Sequence, residues 1–483
     1  MTVGSTLASH TFFSLLSAAS NGLLVVLVIV AARVLGPEDF GKYATGMAFV
    51  FLLEPLTDLG MREYLTREVA RNREVAKRAF AVMSSIKLAL CTGTAVLIVP
   101  IAAAVGYNGE IMLVIGILAV AMFFRSYKFA VRCFFRAFGR YNIETALVVG
   151  ERVVTLSMAL IVLWSGGGLI GFVMVFPAVR LVDLVVTVIV FQKKIGRVGL
   201  SLNWDEWRAM LVGSLPFALM LAMGVLYSRI DVLMLSVMRP FSEVGWYSTG
   251  YTLIDVSNIV PMVLSAAVFP TLSVLSLSDR NKFEVICRRT VKYLIIAAAA
   301  FMFGGLAIAD EIVLTLFGEA YVNSADVLRI LLGSLGFSFV AGLSTIFLFA
   351  LDRQRQAAFS LVITVLIVIL LNLLLIPRFG FIGAAVGTAL AQLIYFVTLM
   401  VQLRHANCHV LSLRLIWRPV TAGVIMAYMT HHISDWSLFL VIPIAAVAYV
   451  GILLLLGAFD RTEFTALRKL IGPRESPGSV GPR

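Results

Sequence analysis

A chain of 483 residues that is 60% hydrophobic and only 14% charged, with a mean hydropathy of +0.98, is far too apolar for a soluble globular fold. The formal net charge of +12 would suit nucleic acid, but the cations sit in short stretches between apolar segments, a pattern that belongs to membranes. A bilayer core needs about 20 apolar helical residues to cross it.

Fourteen such segments follow one another, at approximately 11–32, 41–61, 80–104, 111–134, 143–164, 168–190, 209–232, 245–268, 290–309, 327–350, 357–376, 381–402, 415–433 and 437–457. They are numbered here as spans 1 to 14. No Lys or Arg precedes span 1, and its apolar run exceeds the roughly 7–15 residues of a signal peptide, so it is expected to stay in the membrane. Lys and Arg concentrate in alternate connections, at 62–78, 125–140, 193–208, 280–292, 353–355, 404–418 and after 460, which hold 30 of the 39. The positive-inside rule places these connections and both termini in the cytoplasm.

The fold class expected is an all-α polytopic membrane protein. Its parts are two pseudo-symmetric six-helix lobes, 1–198 and 199–403, then spans 13 and 14 over 404–459, and a cytoplasmic tail at 460–483. The internal repeat is visible in two places. Sliding ARVLGPEDFGKYATG (32–46) by 204 residues puts Gly41, Tyr43, Thr45 and Gly46 on Gly245, Tyr247, Thr249 and Gly250; AFGR at 137–140 answers ALDR at 350–353. Each unit has an even number of spans, so the repeats are parallel. The helix is expected to break over Pro240 and restart at Gly245. Pro55, Pro177, Pro216 and Pro261 lie inside spans, where proline bends a helix or lines a cavity.

Charges at bilayer depth cost at least about 2.5–3.5 kcal/mol each and normally face a cavity or one another. In span 4, Arg125, Lys128, Arg132 and Arg136 are spaced 3, 4 and 4 apart, which stacks four cations on one face. Snorkelling explains the lower ones; Arg125 lies too deep for it and points to an anion path. Arg152 in span 5 and Arg180 in span 6 are deeper still, and Lys87 sits in span 3. Asp183, one turn from Arg180, offers a competing ion pair, whereas Glu151 points away from Arg152. A pyrophosphate or sugar cavity lined by Arg125, Lys128, Arg132, Arg152, Arg180 and Lys87 would be strongly positive and open to the cytoplasm. Glu54 and Asp58 share a face of span 2; with Asp231 and Asp255 they are candidates for ion coupling, although Asp58 could simply neutralise nearby arginines.

Other patterns carry little. GGGLIG at 166–171 fits a nucleotide-binding string but joins two membrane spans. No Walker A motif is present. His405, Cys408 and His409 have metal-like spacing in a cytoplasmic loop, where a solvated loop is the simpler reading, so no metal site and no cofactor are expected.

ARVLGPEDFGKYA after span 1, DLGM at 58–61, RIDVLML followed by EVGWYSTGY, and NLLLIPRFGFIGAAVGTALAQ at 372–392 together resemble the polysaccharide transport family. These are the Wzx-type flippases of the superfamily that also holds MATE exporters and the lipid II flippase. The resemblance covers roughly residues 10–400. It implies a V-shaped central cavity, alternating access, and movement of undecaprenyl-pyrophosphate-linked oligosaccharides from the inner to the outer leaflet of a bacterial inner membrane. It also implies a sodium site between spans 7 and 11, where Asp231 and Asn372 fall, but the second carboxylate expected on span 11 is missing. Expected partners are the lipid-linked oligosaccharide and membrane lipids, with a polysaccharide polymerase and a chain-length regulator, and no nucleic acid. A diphosphate carries about two negative charges and suits arginine forks; its outward movement gains about 2.3 kcal/mol per charge per 100 mV. A MATE-type exporter of cationic drugs is disfavoured by the cations of spans 3 to 6, and a membrane polymerase or ligase by the short external loops. A lipid II flippase is a close alternative.

Overall fold

The computed structural model describes residues 16, 19–62, 64–65, 76–194, 199–433 and 436–459. Part of span 1, most of the basic stretch 62–78, residues 195–198 of the linker and the tail from 460 lie outside them. Among the described residues all regular structure is helical, and ten helices are long and apolar enough to cross a membrane. Two long helices contain two spans each. Asn21–Asp58 carries spans 1 and 2 across Gly36, whose φ of 77° is open to glycine and costly for other residues. Gln354–His405 carries spans 11 and 12 across Gly380, φ 57°. The remainder are Ala76–Val105, Glu110–Ala137, Tyr141–Trp164, Gly168–Lys194, Trp204–Met238, Arg280–Ala307, Ser324–Ala350, Leu413–His431 and Leu438–Leu455, with span 8 made of Phe241–Ser257 and Ile259–Ser278. Fourteen spans result.

Two details differ from the sequence reading. Span 8 restarts at Phe241, directly after Pro240, because Arg239 is extended (φ −141°, ψ 161°) and Pro240 caps the new helix. The acidic external connection near 310–326 is not a plain loop: Ala309–Phe317 is a short helix followed by the turn Glu319–Tyr321. Arg329 pairs with Asp310 and Asp326 to hold it. The hydroxyl of Tyr321 donates to the carbonyl of Ala32 at 2.8 Å, tying this cap to span 1.

Spans 2 and 8 cross at the end opposite the basic connections, where the two halves of the repeat meet. A Cβ on Gly41 would lie 1.8 Å from the Phe241 carbonyl oxygen, and one on Gly245 would lie 2.1 Å from that of Pro37. The same slide of 204 residues that aligns the two glycines also aligns Pro37 with Phe241, so this is one contact made twice about a pseudo-two-fold axis. Small residues let the backbones touch, as in other membrane helix pairs. Thr45 and Thr249 return their hydroxyls to the carbonyls of Gly41 (2.8 Å) and Gly245 (3.0 Å). Tyr107 and Ser236 join spans 3–4 to span 7 nearby, hydroxyl to hydroxyl at 2.5 Å. The two lobes are therefore tied together at this end. At the opposite end, among the described residues, spans 2 and 3 meet the start of span 7: a Cβ on Gly60 would meet the Ala218 nitrogen at 2.6 Å, and Arg78 pairs with Glu206.

Substituting Gly41→Ala or Gly245→Ala is expected to destabilise the protein by about 1–3 kcal/mol, because the added methyl meets backbone oxygen and the helices must part. Gly333→Ala and Gly336→Ala, where the new Cβ meets open space, should be neutral or slightly stabilising through helix propensity. The midpoint of thermal inactivation in detergent is the measurement, and equal midpoints for all four would refute the account of the crossing.

Candidate functional site

Below the crossing, spans 2, 3, 4 and 7 enclose a cavity of about 170 Å³ lined by Glu54, Asp58, Arg62, Lys87, Arg125 and Ser126, with Leu221 and Val225 on the span 7 side. Glu54 and Asp58 lie one turn apart, on one face of span 2. Glu54 accepts from Nη1 of Arg125 at 2.7 Å. Lys87, 1% exposed, donates to Oδ1 of Asp58 at 2.6 Å and to Oγ of Ser126 at 2.9 Å; Ser126 in turn meets Thr57 at 2.7 Å. A lysine so deeply buried stays charged only with such partners.

Lys128 and Arg132 do not line this space. Both are buried among spans 4, 5 and 6: Lys128 pairs with Glu151 and, at 2.8 Å, with Asp183, while Arg132 reaches Asp183 at 2.6 Å and Glu151 at 3.3 Å. Two cations and two anions close on themselves. Removing one member of such a set typically costs about 3–5 kcal/mol, since a charge is left uncompensated. The expectation that these two face a wet cavity is thus corrected, as is the pairing of Asp183 with Arg180. Of the span 4 stripe, Lys128 and Arg132 face spans 5 and 6, whereas Arg125 faces span 2. The side chain of Arg136 lies outside the described ones. Arg152 is half-buried and donates to the Ser20 hydroxyl.

Arg180 is different. It is half-buried, lies over the Phe176 ring at 5.5 Å, and among the described residues makes no ion pair. Arg229 of span 7 behaves likewise over Phe51 at 5.5 Å. Arg125 covers the same Phe51 ring at 4.7 Å, so guanidinium groups from both lobes converge on one aromatic side chain. Tyr43, stacked on Phe176 at 5.7 Å, feels the fields of both Arg180 and Arg229, and Arg180 feels that of Arg125. Asp255 of span 8 is exposed and makes no ion pair with Arg229 among the described residues. Arg229 was absent from the residues the sequence suggested as substrate ligands. Its place inside the apolar stretch 209–232 was the signal.

A second polar centre lies within the second lobe. Asp231, 2% exposed, accepts from the Tyr247 hydroxyl, from the Thr388 hydroxyl at 3.2 Å and from the amide of Val232 at 2.8 Å. Asn372 of span 11 is fully buried, and neither atom of its amide has a hydrogen-bond partner among the described residues. That amide sits against Gly387, where a Cβ would come within 2.5 Å of its oxygen, one residue from Thr388. A buried unpaired amide near a buried carboxylate is costly unless something is held there.

A family profile described as Polysaccharide biosynthesis protein matches residues 7–276, and one for the Lipid II flippase MurJ matches 143–456. The chain is 28% identical over 262 residues to the probable low-salt glycan biosynthesis flippase Agl15 of Haloferax volcanii, covering 51% of this chain and 54% of that one. It is 22% identical over 373 residues to a putative O-antigen transporter of Shigella flexneri, covering 74% and 87%. The match thus spans about half the length of Agl15. Among solved structures, the lipid II flippase MurJ in an inward closed conformation superposes with a TM-score of 0.76 at 13% identity, covering 96% of this chain and 100% of that one. An inward-facing MATE multidrug transporter gives 0.66 at 13% identity, covering 80% and 94%. These likenesses show the fold. With more than half its residues inside the first profile, the chain belongs to the polysaccharide biosynthesis protein family, and more than half also fall inside the profile of the lipid II flippase MurJ.

Proposed function

We propose that this protein is a flippase carrying an undecaprenyl-pyrophosphate-linked oligosaccharide from the cytoplasmic to the outer leaflet of the inner membrane, by alternating access, for export of a surface polysaccharide. The observation that carries the reading is the pair Arg180 and Arg229, two deep guanidinium groups without ion-pair partners among the described residues, converging with Arg125 from opposite lobes. Every other cation described at this depth is satisfied locally. A diphosphate supplies the missing negative charge, and its oxygens match the guanidinium fork. The tie between the lobes opposite the basic connections supports loading from the cytoplasm, and those connections support an orientation with both termini inside. Two negative charges moving outward gain about 4–5 kcal/mol per 100 mV, so the membrane potential favours export. A polysaccharide polymerase and a chain-length regulator would consume the flipped units. The same diphosphate chemistry fits lipid II, a second reading favoured by the MurJ profile and superposition; the two differ only in the glycan.

Coupling is assigned to Asp231 with Asn372 and Thr388. Their oxygens suit a small monovalent cation, and Asp231 alone suits a proton; the amide of Asn372 has no use in the second case. Glu54 and Asp58 are committed to Arg125 and Lys87, which leaves them as scaffolding for the cavity.

Arg180→Ala and Arg229→Ala are each expected to lower diphosphate affinity by about 2–5 kcal/mol, roughly 30-fold or more. Arg→Lys at either site should recover part of the loss. Surface polysaccharide in a strain depending on this gene, with membrane levels of the protein held equal, reads the result; normal polymer from the double alanine variant refutes the reading. Rescue of lipid II transport, but not of polysaccharide, would select the second cargo.

Asp231→Asn should leave diphosphate binding within about twofold while abolishing the response of flipping to an imposed sodium gradient. Flipping in proteoliposomes under sodium or pH gradients measures this. A sodium response that survives the substitution removes Asp231 from coupling, and a response to pH alone makes the proton the coupling ion.

A further inference from the structure

The internal repeat pairs the charged cavity of the first lobe with a groove of different character in the second. The slides of 204 and 213 residues found in the sequence carry Glu54 to Asn258, Asp58 to Met262, Arg62 to Ala266, Arg125 to Ser338 and Phe129 to Gly342. All five of these second-lobe residues line one groove between spans 8 and 10, of about 480 Å³, completed by Pro261, Phe269 and Ile346. Even the cross-link between helices is repeated. Glu54 holds Arg125 at 2.7 Å in the first lobe; in the second, Ser338 donates to Asn258 at 3.5 Å. The positions are shared and the charges are gone. Span 8 bends here, its first helix ending at Ser257 and the next starting at Ile259, which opens the groove.

We propose that this groove binds the polyisoprenoid segment adjoining the diphosphate while the arginines of the cleft hold the diphosphate itself; the proposal rests on the flippase reading above. The occupant follows from the contrast between the two faces. A lipid-linked diphosphate joins two charges directly to a hydrocarbon, so a site that takes the head must cover the first carbons of the chain or leave them in the wet cleft. Exposed hydrocarbon in water is unfavourable in proportion to its area. The first lobe offers charge; its symmetry mate offers Met262, Phe269, Pro261 and Ile346. Met262 is 51% exposed and Phe269 39% among the described residues. The groove volume lies within the range of about 300–1,000 Å³ usual for small-ligand sites. Arg229 of span 7 lies over Phe51 of span 2, three residues before Glu54 on the charged wall.

The test uses the full-length protein in phosphatidylcholine nanodiscs and two probes, inorganic diphosphate and undecaprenyl diphosphate. Gly342→Trp fills the groove without meeting backbone, since a Cβ at Gly342 finds nothing within 4 Å; Met262→Asp places a charge in it. Each is expected to weaken undecaprenyl diphosphate binding by about tenfold and inorganic diphosphate by less than about twofold. The Arg180→Ala, Arg229→Ala variant should weaken both probes. If both groove variants bind undecaprenyl diphosphate like the parent protein, the groove assignment falls. With the arginine variant still defective, the flippase reading then stands. If the arginine variant binds diphosphate normally, both fall together. Competition for the groove by phosphatidylglycerol as strong as by undecaprenyl diphosphate would show bulk lipid to be the occupant and overturn the assignment.

Discussion

The crossing of span 2 on span 8 fixes everything that lies below it. Two glycines, each pressed on a backbone carbonyl of the other helix, bring the lobes closer than any side chain would allow. The close approach is made by small residues and backbone, a geometry suited to a pivot about which the two lobes could part or approach. A tie made by backbone contact is also reversible. Separating it exposes glycine and carbonyl, with no buried ion pair to break, and hinge motions of this kind depend on a few small residues at the ends of elements.

Beneath the pivot the first lobe keeps many charges inside a membrane, and it does so by two different devices. Lys128, Arg132, Glu151 and Asp183 form a closed set that fixes spans 4, 5 and 6 relative to one another and has no charge to spare. Lys87 with Asp58, and Arg125 with Glu54, do the same for spans 2, 3 and 4 at the cavity wall. Against that balanced background, Arg180 and Arg229 stand out, because they lie over aromatic rings and make no ion pair among the described residues. A cation on a ring keeps part of its electrostatic stabilisation and stays available to an incoming anion, whereas a cation in a salt bridge must first surrender its partner.

The fourteen spans and the repeat were legible because hydropathy and charge alternation are properties of the chain itself. The slide that aligned Gly41 with Gly245 even identified the pivot, although nothing in one sequence says that the two glycines face each other's helices. The charged site was legible in kind and not in detail. Spacing placed Arg125, Lys128 and Arg132 on one face of span 4, correctly as geometry, but which carboxylate they meet depends on how spans 5 and 6 pack. Glu151 was dismissed because it points away from Arg152, its neighbour in sequence; its partners come from another helix. Arg229, inside the apolar stretch 209–232, was left out of the ligand set for a related reason: that it lies over Phe51 of the other lobe depends on how the two lobes pack.

Duplication of one helical unit explains how two requirements in conflict are met in a single chain. A pivot on a pseudo-two-fold axis works best when both halves are alike, and the residues there, Gly41 and Gly245, Tyr43 and Tyr247, Thr45 and Thr249, have stayed alike. An amphipathic cargo needs walls that differ, and at the same depth the symmetry-related positions have diverged from Glu54, Asp58 and Arg125 to Asn258, Met262 and Ser338. The backbone scaffold that aims these side chains into the cleft is common to both lobes, so each substitution changes chemistry without changing where it is presented. Within about two turns of helix identity gives way to difference: on span 2 the last shared residue is Gly46, matched by Gly250, and the diverged wall begins by Glu54, matched by Asn258.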